Sequence, residues 1–315
     1  MKKPYDVLVV GELNVDIILH DIDTFPEVGK EILAQRMTLT LGSSSAIFAS
    51  NIASLGASVA FLGKIGSDKF GDVVLRELQK KKVDVSMILS DDQLSTGATV
   101  VLVVQEDRAN ITYPGAMNDL RIGDISKDDL SKARHLHFSS CFLQPGIKDD
   151  LGKLFKMAKE LGLTTSFDMQ WDPLENWDID VKEVLPWVDI FLPNEKELLL
   201  LTAKSKINEA IDSIKEFIRI LVIKRGNKGS ILFYKNKLKE LPPFLNKNVV
   251  DTVGAGDSFN AGFIFKYINR CSIEKCQEFG NLTGAVSTTA AGGVKAFEDY
   301  EYLKKMVKNK FGVNL

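Results

Sequence analysis

The chain is poor in the residues that build metal centres and histidine-based catalytic sites. Among 315 residues there are three histidines (His20, His135, His137) and three cysteines (Cys141, Cys271, Cys276). An odd, sparse cysteine set carries no disulfide framework and fits free thiols in a reducing compartment. Cys271 and Cys276 are five residues apart, which is not a metal-ligand spacing, so they read as plain thiols. His135 and His137 alternate along one strand and share a face. They are either half a metal site with no evident third ligand, or strand-end histidines with hydrogen-bond partners; the second reading is the simpler one. Neither sign of charge dominates: 40 Lys+Arg stand against 42 Asp+Glu, a formal net charge of −2. That balance lacks the electrostatic footprint of a nucleic-acid binder, and blocks of like charge are short. No apolar run approaches the ~18 residues of a membrane span. The start, Met1-Lys2-Lys3-Pro4-Tyr5-Asp6, meets an acid before any long apolar stretch, so a secretory signal is not expected and a cytoplasmic location is. Also missing are the Gly-x-x-x-x-Gly-Lys-Ser/Thr of P-loop proteins, a Gly-x-Gly-x-x-Gly after the first strand, and the His-Arg-Asp and Asp-Phe-Gly of protein kinases.

What is present is ordinary globular material, 45% hydrophobic and 26% charged. The length suits two domains or one large α/β domain, and a chain this long needs no disulfide or metal staple. An apolar run over 5–10 ends at Gly11, the pattern of a buried parallel strand. From residue 135 strands and helices alternate. Strands are expected at 135–139, 164–168, 188–192 and 221–224, with helices at 149–161, 195–202 and 208–219. A hairpin over 230–234 and 237–240 turns at Lys235-Asn236, and helices at 255–269, 272–291 and 298–310 close the chain. This rhythm predicts an α/β fold, a doubly wound, mostly parallel sheet with helices on both faces. The earlier chain, with helices at 43–55 and 69–80 and a strand at 59–62, breaks the rhythm. Its strands at 15–19 and 31–41, and a hairpin over 99–104 and 110–113, read as a small separate β layer. The expected division is 1–11, 21–30, 42–96 and 115–315 for the large domain and 12–20, 31–41 and 97–114 for the small one.

The most informative segment is Val249-Val250-Asp251-Thr252-Val253-Gly254-Ala255-Gly256-Asp257-Ser258-Phe259-Asn260-Ala261-Gly262. Small residues lead into a helix here. Gly254 and Gly256 let backbone amides approach a ligand, and the helix aims its free N–H groups and positive dipole end at the same place, an anion hole suited to phosphate. Asp257 sits in the first turn beside that hole. It either accepts the proton of a hydroxyl attacking phosphorus or merely caps the helix, and the motif alone leaves both open.

With its neighbours this segment is recognisable. It resembles the C-terminal Asp-Thr-x-Gly-Ala-Gly-Asp motif of the ribokinase-like (PfkB) carbohydrate kinases, and the resemblance runs from Tyr5 to about Phe297. Gly11-Glu12-Leu13-Asn14-Val15-Asp16 resembles that family's opening strand and sugar-binding Asn-x-Asp. Gly42-Ser43-Ser44-Ser45-Ala46, Asn51-Ile52-Ala53-Ser54-Leu55-Gly56 and Phe61-Leu62-Gly63-Lys64-Ile65-Gly66-Ser67-Asp68 resemble its glycine-rich region. Asn194-Glu195-Lys196-Glu197 matches its Asn-x-x-Glu, and Lys224-Arg225-Gly226-Asn227-Lys228-Gly229 its nucleotide-side strand and turn. Singly these are weak signals; in family order with sensible spacing they are strong.

The resemblance implies ATP-dependent phosphoryl transfer to a sugar hydroxyl, with ATP and Mg²⁺ as cofactors. Asp257 would be the base, and the amides of Gly254, Ala255 and Gly256 would hold the transferring charge. Asn194 and Glu197 would reach a Mg²⁺ through water, their alternative being a capping arrangement. Asp251 and Val253, with carbonyls near 290–293, would hold a monovalent cation such as K⁺; the alternative for Asp251 is a turn aspartate. Lys224, Gly226, Gly256, Asn281 and Gly284 would line the nucleotide site. On the sugar side, Asn14 and Asp16 point the same way from one strand and suit vicinal hydroxyls, Gly42 allows close approach, and Gln144, Asp168 and Asp257 complete the site. Arg108 and Tyr113 on the hairpin would close over the sugar or simply face solvent. The small β layer would act as a lid that excludes water, and its apolar set Val15, Ile17, Ile32, Leu39, Val101 and Val103 would suit a homodimer through the lid.

Several positions depart from the pattern. Leu41 replaces the first glycine of the glycine-rich motif, and Ala46 stands where ribokinases proper have Asn, which weakens a specific assignment to ribose. Lys224 stands where a small polar residue is common, in reach of phosphate or of solvent. Trp171, in Phe167-Asp168-Met169-Gln170-Trp171-Asp172, is placed to stack on a sugar face or to pack. A nucleoside kinase of the same fold would need a more apolar, aromatic-lined pocket. A non-catalytic sugar- or nucleotide-binding relative would not need Asp257, Asn194 and Glu197 together. A phosphosugar kinase should show several Lys or Arg toward the pocket.

Overall fold

The computed structural model describes residues 3–104, 107–298 and 300–314, at 107 and 108 by backbone alone. In chain order its strands are β1 (Tyr5–Val10), β2 (Asn14–His20), β3 (Arg36–Leu41), β4 (Val59–Leu62), β5 (Lys64–Gly66), β6 (Leu89–Asp91), β7 (Gly97–Val104), β8 (Asp107–Tyr113), β9 (Ala133–Ser139), β10 (Thr164–Asp168), β11 (Ile190–Phe191), β12 (Ile220–Lys224), β13 (Ser230–Tyr234) and β14 (Lys237–Leu241). Eight form the main sheet in the order β14-β13-β12-β11-β10-β9-β1-β4, parallel from β12 to β4 and antiparallel at the β13–β14 hairpin. Strand order reverses beside β1, and such switch points open ligand clefts at the carboxyl ends of strands.

The pleat sorts the core. Leu8, Val10, Leu136 and Phe138 point into one hydrophobic cluster, while Val7, Val9, Phe61 and Val222 point into the other. Both faces are therefore buried under helices, which is why β1 reads as an unbroken apolar run. His135 and His137 lie mid-strand in this sheet rather than at a strand end. Both ring systems share the Ser166 hydroxyl at 2.7 Å, and His137 stacks on Phe48 at 3.7 Å. Burial keeps them neutral, with His135 pushed down to about 3. They are core histidines. All three cysteines are free thiols.

The second sheet, β3-β2-β7-β8, stands over the carboxyl ends of the main strands. Its register puts Asp16 beside Thr40 and Thr99, and Thr99 beside Thr112, so these side chains share one face. Leu39, Ile17 and Val100 share the other. The expected strand over 31–41 is shorter, because β2 ends at His20 opposite Arg36 and residues 31–35 have no strand to pair with. The short β5–β6 ladder was not foreseen. The expected helix over 149–161 is Leu151–Glu160, with a short unforeseen helix, Pro145–Lys148, before it, and the one over 272–291 is Ile273–Ser287. The expected apolar lid set is also partly wrong. Val15 is fully buried in one cluster with Leu41 and Val74, and Val101 turns inward. The apolar side chains left exposed on the outer face are Met37, Leu39, Ile111 and Tyr113. Among the described residues no helix is long and apolar enough to cross a membrane.

Candidate active site

One cavity of about 780 Å³ lies between the two sheets and gathers most of the motif residues. Its centre is the N-terminus of the helix Ala255–Ile268. Gly254 holds the N-cap position at φ 71°, where a Cβ would stand 2.6 Å from Gly293 Cα. No side chain caps this helix, so Asp257 is not a cap residue. The Ala255 amide is already bonded to the Thr252 carbonyl at 3.3 Å. A donation from Ala255, which lines the cavity, would compete with this bond. The amides of Gly254, Gly256 and Asp257 have no acceptor among the described residues and are the donors left for an anion.

Asp257 is 7% exposed and lines the cavity. Burial, then the nearby Asp168 charge, pushes its carboxyl up to about 8, against the pull of Lys224. Its Oδ1 accepts from Gln170 Nε2 at 2.9 Å. Lys224 comes from the end of β12, and its Nζ would stand 3.6 Å from a Cβ at Gly256. Burial opposes its charge, but Asp168 and Glu197 outweigh it and hold the ammonium above the usual lysine value. The salt bridge to Asp168 Oδ2 is 2.5 Å long. Lys224 is thus neither a solvated lysine nor an isolated charge, but a half-buried, paired cation beside the anion hole.

Asp168 is itself a correction. It is fully buried and is not among the cavity-lining residues; Lys224, Asn260 Nδ2 and Gln170 Nε2 all approach its Oδ2. Those three groups make it an organiser of the wall, while its Oδ1 has no partner among the described residues. Gln144 is another correction. It is wholly buried outside the cavity, with Nε2 donating to the carbonyls of Ser139 at 2.8 Å and Ser140 at 3.1 Å. Trp171 packs edge-on against Trp177 at 5.1 Å, with Lys196 over its ring, and does not line the cavity.

At the lid end, Asn14 Nδ2 donates to Thr99 Oγ1 at 2.9 Å and lies 3.2 Å from Asp16 Oδ1. A Cβ at Gly42 would collide with Asp16 Oδ1 and come within 2.8 Å of Asn14 Nδ2. These three residues meet as expected. Tyr113 is 58% exposed on the outer face, and Asn110 and Thr112 line the cavity instead. The Arg108 side chain lies outside the described residues. Glu12 was quoted above without a role. It lines the cavity, accepts from the Ser45 amide at 3.1 Å and from the Ser45 hydroxyl, and burial raises its pKa. Gln170 was likewise passed over, although it stands two residues after Asp168 at the end of β10.

At the far end, Asn194 and Glu197 form a reciprocal capping box, with bonds of 2.8 and 2.9 Å, at the start of the helix Glu195–Leu201. They also line the cavity, and burial pushes Glu197 up to about 7. Among the described residues no three His, Cys, Asp or Glu are grouped to hold a metal directly. A cation here fits only if phosphate and water supply most of its shell. Gly226, Asn281 and Gly284 line the same end, with Asn281 Nδ2 on the Pro242 carbonyl at 3.1 Å. Phe244, Leu245 and Val249, unmarked by any motif, supply apolar wall. Asp251 clamps two loops, accepting from Val253 N at 2.9 Å and Gly292 N at 2.8 Å, while the Val253 carbonyl accepts from Ser287 Oγ at 3.3 Å.

Comparison with known proteins agrees with this geometry. The chain is 29% identical over 231 residues to an "Uncharacterized sugar kinase" of Archaeoglobus fulgidus, covering 73% of this chain and 91% of that one. The crystal structure of ribokinase from Thermotoga maritima superposes with a TM-score of 0.83 at 26% identity, covering 97% and 100%. A putative ribokinase II from E. coli, in complex with ATP and Mg²⁺, superposes at 0.82 with 23% identity, covering 97% and 99%. The profile described as pfkB family carbohydrate kinase matches residues 5–299, from the first buried strand past the Asp251 clamp, and so this chain belongs to that family.

Proposed function

We propose that this protein transfers the γ-phosphoryl group of ATP to a hydroxyl of a neutral, ribose- or fructose-like monosaccharide. The observation that carries this reading is the uncapped Asp257 carboxylate in the same cavity as unbonded helix-start amides. The sugar would lie under the lid, on Asn14, Asp16 and Gly42. Its hydroxyl would pass a proton to Asp257 as its oxygen bonds to phosphorus and the bond to ADP breaks. The amides of Gly254, Gly256 and Asp257, with Lys224, would hold the phosphoryl charge where it develops. The apolar wall at Phe244, Leu245 and Val249, with Gly226, Asn281 and Gly284, would receive the nucleotide. A magnesium ion would neutralise phosphate charge, and Asn194 and Glu197 would meet its water shell. Asp251 and Val253 keep second lone pairs on oxygens facing neighbouring loops, which supports a monovalent cation there, K⁺ being the candidate.

Polar Thr99, Asn110 and Thr112 at the lid end favour a sugar over a nucleoside, whose base would need aromatic walls. Lys224 is the single cation among the described lining residues and is already paired, which argues against a phosphosugar. The four exposed apolar side chains on the lid support a homodimer. ADP release from ATP and Mg²⁺ across hexoses, pentoses, ketoses, nucleosides and phosphosugars tests the reading. Turnover on a neutral sugar, lost in Asp257→Asn, is expected; ATP binding with no turnover on any acceptor would favour a sensor.

A further inference from the structure

Behind the carboxylate of Asp257 stands a side chain that no motif marks. Gln170 lines the cavity, and its Nε2 donates to two carboxylates, Asp257 Oδ1 at 2.9 Å and Asp168 Oδ2 at 3.0 Å. Its backbone sits at φ 61°, a left-handed conformation that a long side chain rarely adopts and that persists only where its surroundings enforce it. The surroundings are visible. The buried carboxylate of Asp172 accepts the amides of Leu174, Asn176 and Trp177, and Trp171 is wedged between Trp177 and Lys196. The loop after β10 thus holds three residues, Gln170, Glu175 and Trp177, in this uncommon conformation, and of these Gln170 is the one whose side chain meets Asp257.

We infer that Gln170 is a positioning residue for phosphoryl transfer, its amide, anchored by Asp168, fixing Asp257 through Oδ1 so that Oδ2 is left to receive the acceptor's proton. The inference rests on the reading of Asp257 as base. An amide suits the place, because it can donate both N–H groups and carries no charge of its own. A lysine there would quench the base, and a carboxylate would repel it. The charged and titratable groups around Asp257 are Asp168 from β10, Lys224 from β12 and Glu12 after β1, with the Ser44 hydroxyl from the helix Ser44–Ser54. Asp168 and Glu12 disfavour ionisation of Asp257, whereas Lys224, Ser44 and the Gln170 amide favour it.

The test needs no acceptor. Protein carrying ¹³C-carboxyl aspartate is titrated by NMR, and the Asp257 signal is assigned by its loss in Asp257→Asn. Gln170→Met keeps the volume and removes the donor; its Asp257 midpoint should rise by about one unit. Gln170→Glu keeps the shape and adds a negative charge, so its midpoint should rise further. A residue with no bond to Asp257 would leave the Gln170→Met midpoint at the wild-type value, whereas the added charge of Gln170→Glu raises it in either case. On the sugar that the panel identifies, Gln170→Met should lower kcat roughly 10-fold with KM for ATP within about twofold. Equal Asp257 midpoints in wild type and Gln170→Met overturn the inference, even where Asp257→Asn is inactive and the base reading stands. Full turnover in Asp257→Asn removes the base reading instead, and with it the catalytic meaning of an otherwise confirmed shift. If Gln170→Met fails to fold, Gln170→Leu, uncharged and likewise without a donor, decides the matter by the same shift.

Discussion

A carboxyl held near 8 is a protonated acid through most of the physiological range, and two consequences follow for Asp257. Its unfolded value is about 4, so between about pH 4 and pH 8 the folded chain binds the extra proton. Stability therefore falls as pH rises across that window. Asp257→Asn abolishes the cost, and its unfolding free energy should exceed the wild type's at pH 8 by on the order of 1–3 kcal/mol, with a smaller difference at pH 4. Chemical denaturation at the two pH values checks this; equal differences at both would contradict it. Catalysis runs the other way, since a base must be ionised, so kcat/KM for the sugar should climb with pH through an apparent midpoint near 8. Gly42 offers a second prediction at this scale. The space a Cβ would need there is filled by Asp16 and Asn14. Gly42→Ala should raise KM for the sugar on the order of 10-fold and leave KM for ATP within about twofold. Equal changes in both would remove Gly42 from the sugar site. Single residues were unevenly legible in the sequence. Asn14 and Asp16 could be placed because strand alternation puts i and i+2 on one face. Gln144 and Asp168 could not, because strand ends point into both the cleft and the wall, and only packing decides which.

Helix starts do much of the work in this molecule, and they do it in two different ways. The helix Ala255–Ile268 leaves the amides of Gly254, Gly256 and Asp257 at its start without acceptors among the described residues, and that bareness is its use. The helix Glu195–Leu201 closes its own start with the Asn194–Glu197 box, so the same residues that face the nucleotide end also hold their helix in place. Asn194→Ala should therefore lower stability by about 0.5–2 kcal/mol as a lost N-cap. If Asn194 also meets the ion's water shell, the variant should need more Mg²⁺ for half-maximal rate. A fall in melting temperature with unchanged Mg²⁺ dependence would leave the capping role alone. Both meanings of Asn-x-x-Glu were readable in the sequence, and the structure satisfies the capping one in full while keeping both residues in the cavity. Element boundaries were less readable. Strand β3 stops at Arg36 because β2 stops at His20, and nothing local in residues 31–35 announces a missing partner.

At the scale of the whole molecule, the sheet with buried faces supplies rigidity and the second sheet supplies cover. The alternation of strands and helices after residue 135 was enough to foresee the first, and the break in that rhythm before residue 115 was enough to foresee the second. The outer lid face was harder to read, because apolar residues on a half-exposed sheet look alike until the register assigns sides. Val101 fell to the cavity and Ile111 to the surface. Met37, Leu39, Ile111 and Tyr113 then make a face that a second copy of this chain would cover. Ile111→Lys should shift the protein from dimer to monomer in light scattering at micromolar concentration; a wild type that is already monomeric there would contradict the dimer. The account as a whole stands on Asp257 and the bare helix start acting together in one cavity. The most direct test is a single measurement of phosphoryl transfer from ATP to the identified sugar by wild type and Asp257→Asn, with ATP binding followed on both by calorimetry. The account predicts that the variant binds ATP at least as tightly and transfers roughly 10²–10⁴ times more slowly. A variant that binds ATP and transfers at the wild-type rate would contradict it.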